Sequence, residues 1–217
     1  MPYNLTENET RVLGCLIEKQ LTTPEYYPLT MNALIAACNQ KSNRELVLSL
    51  SESEVQSAID RLRDLNLVYL FYGSTSRTVK YKHMVPSVLE LDESQVAAMA
   101  LLFLRGAQTP GEIRGRAERL HAFSGVMEVQ ETLDALAGRP EPLIAKLERR
   151  PGQKEVRYAH LLSGALPEYV EAEARHAYSA SANSTDRISA LEQEVEQLKE
   201  VCASLKDEFN EFRKQFE

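Results

Sequence analysis

The sequence predicts an α+β protein, mainly α-helical with small β-hairpins, that contains one unit twice and ends in a long helix. Two observations lead to this fold class. The segments EVQSAIDRL (54–62) and EVQETLDAL (128–136) match closely, and each precedes a hairpin that ends in Tyr-x-His. Beyond residue 186, apolar residues recur at alternating spacings of three and four. The first pattern indicates a tandem repeat, and the second indicates a coiled coil.

The first unit contains three predicted helices and a hairpin. Capping boxes begin the first helix at Thr6 and the third at Ser51, and Thr30 can cap a second helix over residues 32–38. The β-branched and aromatic segment LVYLFYG, a turn over residues 73–76 and the alternating segment RTVKYKH follow. Together they predict a two-stranded hairpin.

The second unit repeats this order. Asp92 can cap ESQVAAMALLFL, and Thr109-Pro110-Gly111-Glu112 supplies a cap, a proline at the first helical position and a capping-box glutamate. A third helix and the hairpin PLIAKLERRPGQKEVRYAH complete the unit. This is the order of a winged helix-turn-helix. We therefore predict two tandem winged helix-turn-helix domains, residues 1–88 and 89–165.

A linker over residues 166–185 precedes a predicted coiled coil over residues 186–217. Its a and d positions are Ile188, Leu191, Val195, Leu198, Cys202, Leu205, Phe209, Phe212 and Phe216. In a parallel, in-register pair the facing e and g residues have opposite charges, which favours a homodimer. The alternative, a single amphipathic helix packed against its own domains, stays open.

The net charge of −7 is concentrated in the tail, because residues 166–217 hold 6 Lys/Arg and 12 Asp/Glu. The first 165 residues are close to neutral, so the acidity does not exclude a nucleic-acid partner. The N-terminus has no signal-peptide pattern, and no apolar run approaches the roughly 20 residues that span a bilayer. We therefore expect a cytoplasmic protein without a membrane partner.

Residues that carry catalysis do not cluster in the sequence. Cys15, Cys38 and Cys202 lie far apart, which suggests free thiols, and no metal-ligand spacing or phosphate-binding glycine loop occurs. His83 and His160 hold equivalent places in the two units, which favours a structural role. We expect a protein that is not an enzyme and that has no catalytic residue, metal or cofactor.

Positive charge is concentrated in the hairpins and in the turn ACNQKSNREL (37–46). Such side chains can contact phosphates or a minor groove, although the third helices carry acidic residues that disfavour major-groove insertion. The turn residues have two interpretations of equal weight, a phosphate clamp or a structural turn. The predicted nucleic-acid contacts are Asn39, Gln40, Lys41, Asn43, Arg44, Arg77, Lys80, Lys82, Arg149, Arg150, Lys154 and Arg157.

Three segments carry a family resemblance: EKQLTTPEYYPLTMNALIAACNQKSNRE, RGAQTPGEIRGRAERLHAF and RRPGQKEVRYAHLLSG. Through them the chain resembles the YceH-like family of uncharacterised bacterial proteins, from about Leu5 to Gly164. The family usually continues NQKSNR with Asp-Pro-Val, where this chain has Glu45-Leu46-Val47. The resemblance implies a tandem winged-helix fold and no established activity.

Two functional hypotheses follow. The first is a regulatory protein, dimerised by its coiled coil, that binds double-stranded DNA through the hairpins and the turn. The second is a protein-interaction scaffold that meets a protein partner through the acidic third helices and the turn, without binding DNA. In architecture alone it resembles the tandem winged-helix subunits of chromosome-condensing complexes.

Overall fold

The computed structural model describes residues 3–73, 78–149 and 155–164. The first run of elements is α1 (Glu7–Thr22), a 3-10 turn (Pro24–Tyr26), β1 (Leu29–Thr30), α2 (Met31–Cys38), α3 (Glu52–Asp64), β2 (Val68–Tyr72), β3 (Val79–His83) and α4 (Val85–Leu89). The second run is α5 (Glu93–Arg105), α6 (Pro110–Arg116), α7 (Val126–Ala137), β4 (Ile144–Lys146) and β5 (Tyr158–His160). The predicted fold class, mainly α with small antiparallel β-sheets, is confirmed.

Capping boxes begin α1, α3, α5 and α6. In each helix the N-cap side chain accepts the backbone N–H three residues on, and the side chain of that third residue accepts the N-cap N–H. The pairs are Thr6 with Glu9, Ser51 with Glu54, Asp92 with Gln95, and Thr109 with Glu112. The helix starts predicted at these caps are confirmed, and Thr30 caps α2 by accepting the N–H of Ala33.

Each run contains an antiparallel hairpin after its third helix. In the first sheet β3 lies between β1 and β2, and in the second β4 pairs with β5. Gln108, which lies just before α6, forms an isolated bridge with Tyr158 of β5. Its position in the second run corresponds to that of β1, which lies just before α2 in the first run. The strand β1 is absent from the predicted elements because two residues are too short to show an alternating pattern.

One hydrophobic core extends through both runs of elements. The described residues of Met1–Leu166 form one compact unit, and buried residues from both runs belong to one cluster. The first helices of the two runs, α1 and α5, pack closely at Gly14, where an added Cβ atom would lie 2.9 Å from Leu104 Cγ. The predicted domain boundary after residue 88 falls in α4, while the predicted linker and coiled coil lie outside the described residues.

Membrane-spanning helices and metal-binding clusters are both absent from the ranges that the structure describes. No helix there is both long and apolar enough to cross a bilayer. Nor do three or more His, Cys, Asp or Glu side chains come together there in a group that could hold a metal ion.

Candidate nucleic-acid interface

The connection between α2 and α3 contains the predicted turn residues, and its two ends are held together by Asn39. The Asn39 Nδ2 group donates to the Leu50 carbonyl at 2.9 Å, and its Oδ1 accepts the Leu50 N–H at 2.7 Å. Since both bonding groups of the amide serve the connection itself, Asn39 has the structural role that the sequence left open for it.

Arg44 lies inside the protein. Its side chain is fully buried, and its two terminal nitrogens contact the Glu18 carboxylate at 2.9 and 2.7 Å. It also donates to the carbonyl oxygens of Asn43 and Ala37. Burial disfavours the charged guanidinium, but the Glu18 carboxylate outweighs burial, so the pKa of Arg44 is raised. The structure gives Arg44 a structural role as well, because its charge is compensated where a phosphate would not reach it.

The remaining predicted turn residues lie near the surface. Gln40 accepts a hydrogen bond from Lys19 Nζ at 3.1 Å and donates to Ser42. Asn43 has a left-handed backbone, with φ of 60°, and its side-chain oxygen accepts from Arg105. Lys41 is exposed and has no hydrogen-bond or ion-pair partner among the residues that the structure describes. Of the two predicted turn cations, Lys41 is therefore the one available to a phosphate.

The first hairpin presents lysines and aromatic rings together on one face. Side chains alternate along a strand, and Tyr81 and His83 are buried, so Lys80 and Lys82 point to the opposite face. Tyr69 of β2 pairs with Lys82, and Phe71 pairs with Lys80. We call these four residues the hairpin face.

The aromatic half of the hairpin face is absent from the predicted contacts. Tyr69 is 64% exposed and Phe71 is 43% exposed. The β-branched and aromatic composition of LVYLFYG predicts a strand but does not say which of its two faces is buried, so it gives no signal that these two rings are exposed. The predicted contact Arg77 lies outside the described residues.

The predicted contacts in the second hairpin differ in whether they are already paired, exposed or outside the described residues. Arg157 binds the Glu112 carboxylate at 2.9 and 3.0 Å and donates to the Ala107 carbonyl at 2.7 Å, so it ties the hairpin to the start of α6. Arg149 is exposed. Arg150 and Lys154 lie outside the described residues.

One glutamate in the first turn of each third helix is used in local hydrogen bonds. Glu54 accepts from the Ser51 N–H at 2.8 Å, and Glu128 accepts from the Ser124 N–H at 2.7 Å. These bonds to the ionised forms lower the pKa of both carboxyl groups. The start of each third helix is therefore negatively charged near neutral pH, which opposes contact with phosphates.

The two equivalent histidines, His83 and His160, end β3 and β5. His83 Nδ1 accepts the Val85 N–H at 3.3 Å, while its buried Nε2 has no hydrogen-bond partner in the described structure. Burial lowers the pKa of each ring to about 4, and Lys82 adds to the effect at His83. Both rings are neutral at pH 7, which supports the structural interpretation.

The fold and this surface define a class of α+β protein in which a three-helix unit with a hairpin occurs twice. The family model described as "Protein of unknown function, DUF480" matches residues 5–153. The chain is 45% identical over 210 residues to "UPF0502 protein YceH" of Salmonella paratyphi B, Salmonella newport and Salmonella heidelberg. The matches cover 94% of this chain and 97% of each relative. The chain belongs to the DUF480 family, and the predicted resemblance to YceH-like proteins is confirmed.

Proposed function

We propose that this protein is a non-enzymatic regulator that binds duplex DNA through the hairpin face and Lys41, and that it dimerises through its C-terminal coiled coil. The observation that carries the proposal is found in the hairpin face, where Lys80 and Lys82 each pair across the strands with an exposed aromatic ring. The coiled coil rests on the heptad pattern alone.

The order of elements supports a winged helix-turn-helix in each half. Three helices precede a hairpin in both runs, and a short segment before the second helix pairs with the last strand, through β1 in one half and Gln108 in the other. In such folds the hairpin can reach the DNA backbone or minor groove beside the third helix. Because the third helices begin with carboxylates, the hairpin is the better surface for DNA here.

The composition of the hairpin face fits a nucleic acid. Lysine ammonium groups bind phosphates without sequence preference, and aromatic rings pack on sugars or bases. A purely structural role is the alternative, since cross-strand pairs stabilise a hairpin by roughly 0.2–1 kcal/mol each. Exposed rings beside two lysines that have no ion-pair partner in the described part of the chain make a binding surface the better explanation.

The test is fluorescence anisotropy of a mixed-sequence DNA duplex titrated with the full-length protein over a range of salt concentrations. The double variant Lys80→Gln/Lys82→Gln should bind at least tenfold more weakly at low salt. The slope of log K (the association constant) against log salt is negative, and its magnitude should fall by about 2 in the double variant, because each phosphate contact contributes about 0.9.

The matched control is Arg61→Gln/Arg114→Gln, which removes the same charge from exposed positions on α3 and α6. An equal loss in the control would show that only net charge matters. Absence of binding by the native protein at the lowest salt would rule out the proposed function.

A second candidate, the protein-interaction scaffold, is favoured by the start of α7. Val126 is 50% exposed and Met127 is 73% exposed, next to the exposed Glu131. An apolar and acidic helix end suits a protein surface better than DNA. A stoichiometric protein partner that binds the native chain but not Met127→Ser, with DNA binding absent, would establish this candidate instead.

A further inference from the structure

A cleft of about 290 Å³ lies where the two halves of the compact unit meet. It is bordered by the last turns of α1, by the α2–α3 connection, and by α5 and the end of α6. We call it the junction cleft. Its polar lining combines the α2–α3 connection with the segment RGAQTPGEIRGRAERLHAF, which are far apart in sequence. The cationic and amide side chains that line it are Lys19, Gln40, Asn43, Arg105, Arg116 and Arg119.

The junction cleft carries an excess of positive charge. Four cations and two carboxylates, Glu18 and Glu118, line it. One of the carboxylates, Glu18, is already bound by the buried Arg44 at 2.7 Å, and Lys19 lies 3.7 Å from the same group. The lining therefore has more cations than its carboxylates can neutralise.

The hydrogen bonds that the cations of the cleft donate go mainly to neutral amide oxygens. Lys19 donates to the Gln40 amide oxygen, Arg105 donates to the Asn43 amide oxygen, and Arg116 donates to Gln108 Oε1 at 2.7 Å. A weaker contact of 3.8 Å joins Arg116 to Glu112. Amide oxygens orient a cation but do not cancel its charge, so these side chains remain able to bind an anion.

Arg119 and Arg105 show the lack of compensation most clearly. Arg119 is exposed and has no hydrogen-bond or ion-pair partner in the ranges that the structure describes. Partial burial lowers the pKa of Arg105, and the nearby Arg116 and Arg44 lower it further. Like charges this close repel one another, and a bound anion would remove that cost.

The shape of the cleft restricts the ligand. Leu101 and Leu104 form a buried apolar floor beneath the cationic rim. A DNA duplex is too wide to enter a cleft of this volume, whereas a small molecule with one or two phosphate groups fits. Guanidinium groups are the preferred donors to phosphate oxygens because their planar geometry allows two parallel hydrogen bonds.

We propose that the junction cleft binds a small phosphate-bearing molecule, with Arg105, Arg116 and Arg119 as the principal donors to its phosphate. The proposal is independent of DNA binding. It assigns a ligand-binding role to the arginine-rich segment RGAQTPGEIRGRAERLHAF, which the proposed function leaves unused. Since Asn43 and Gln40 belong to the α2–α3 connection, a ligand here would also contact the segment that carries Lys41.

The experiment is isothermal titration calorimetry of the full-length protein with inorganic phosphate and with pyrophosphate, at constant ionic strength set by chloride. We expect saturable binding at one site per chain, with pyrophosphate tighter than phosphate because it offers more oxygens to the arginines. Arg119→Gln should weaken pyrophosphate binding at least fivefold without affecting folding, because this side chain has no hydrogen-bond or ion-pair partner to lose among the described residues. Arg105→Gln should weaken it at least tenfold, and Arg105→Lys should restore part of the affinity.

The control is Arg114→Gln, which removes an exposed arginine of α6 that does not line the cleft. It should bind pyrophosphate as the native protein does. Failure of both anions to saturate, or equal weakening by Arg114→Gln and Arg119→Gln, would overturn the proposal. Neither result depends on whether the hairpin face binds DNA.

Discussion

Arg44 and Glu18 form a charged pair in the interior, below the connection between α2 and α3. Two short contacts join their charged groups, and further hydrogen bonds from Arg44 reach the carbonyl of Ala37 in the last turn of α2 and the carbonyl of Asn43 within the connection. A buried ion pair adds little net stability by itself, but the loss of one partner leaves the other charge uncompensated. The pair therefore holds the turn in place.

Replacement of Arg44 by alanine should destabilise the protein by roughly 3–5 kcal/mol, because the Glu18 carboxylate is left without its partner. Urea denaturation measures this change. Lys41→Ala, in the same turn but exposed, should change the stability by less than about 0.5 kcal/mol. Equal stabilities of the two variants would show that the ion pair does not hold the turn.

His83 makes the stability depend on pH. The pKa of its ring is about 4 in the folded protein, below the ordinary 6.5, because burial disfavours the imidazolium and Lys82 repels it. Between these values the unfolded chain binds more protons. The contribution to stability is therefore complete above pH 6.5 and is lost as the pH falls towards 4.

His83→Gln should reduce this pH dependence. Between pH 7 and pH 4 the native protein should lose roughly 3 kcal/mol more stability than the variant, from about 1.4 kcal/mol for each unit of pKa shift. Urea denaturation at the two pH values tests it. The comparison uses the change with pH, so a constant loss of stability in the variant does not affect it. Parallel curves would mean that His83 is not the titrating group.

At the scale of elements, the contact between α1 and α5 joins the two repeated units. Gly14 allows these helices to approach closely, since a Cβ atom there would lie 2.9 Å from Leu104 Cγ and 3.0 Å from Phe103 Cβ. These neighbours belong to the tightly packed core and have little room to move. Glycine lowers helix stability by itself, so its position inside α1 is explained by packing rather than by helix propensity.

Gly14→Val should destabilise the protein by roughly 1–3 kcal/mol through overpacking, with a lower Tm. The control is Gly115→Ala in α6, where an added Cβ atom meets nothing within 4 Å. That change should leave the stability unchanged or raise it by about 0.5–1 kcal/mol. A Gly14→Val protein as stable as the native one would show that the helices can separate at low cost.

At the scale of the whole molecule, we expect the predicted coiled coil to set the state of assembly. Deletion of residues 186–217 should convert a dimer into a monomer, measured by sedimentation equilibrium. Mild oxidation of the full-length protein should cross-link two chains through Cys202, because an a position places the two thiols together in a parallel pair.

Cys202→Ser provides the control, since Cys15 and Cys38 are buried and unavailable for a link between chains. An unchanged mass after the deletion would show that the chains do not associate through this helix. In that case the alternative of a helix packed on its own domains would be preferred.

Local sequence patterns determined the helix starts, the repeated order of elements and the hairpins. A capping box needs only two residues three apart, and a hairpin needs only alternation and a turn, so these signals are complete within a few residues. Family membership also followed from contiguous segments. The sequence predicted a cationic turn, but the residues of the turn alone did not show whether it is a phosphate clamp or a structural turn.

Only the tertiary structure separated those roles and located the charges. Arg44 is neutralised by Glu18, which lies 26 residues earlier, and Arg105 meets Asn43, which lies 62 residues earlier. The exposure of Tyr69 and Phe71 likewise depends on which face of the sheet the core covers. Burial and charge compensation arise from contacts between distant segments, and no local pattern of residue types contains that information.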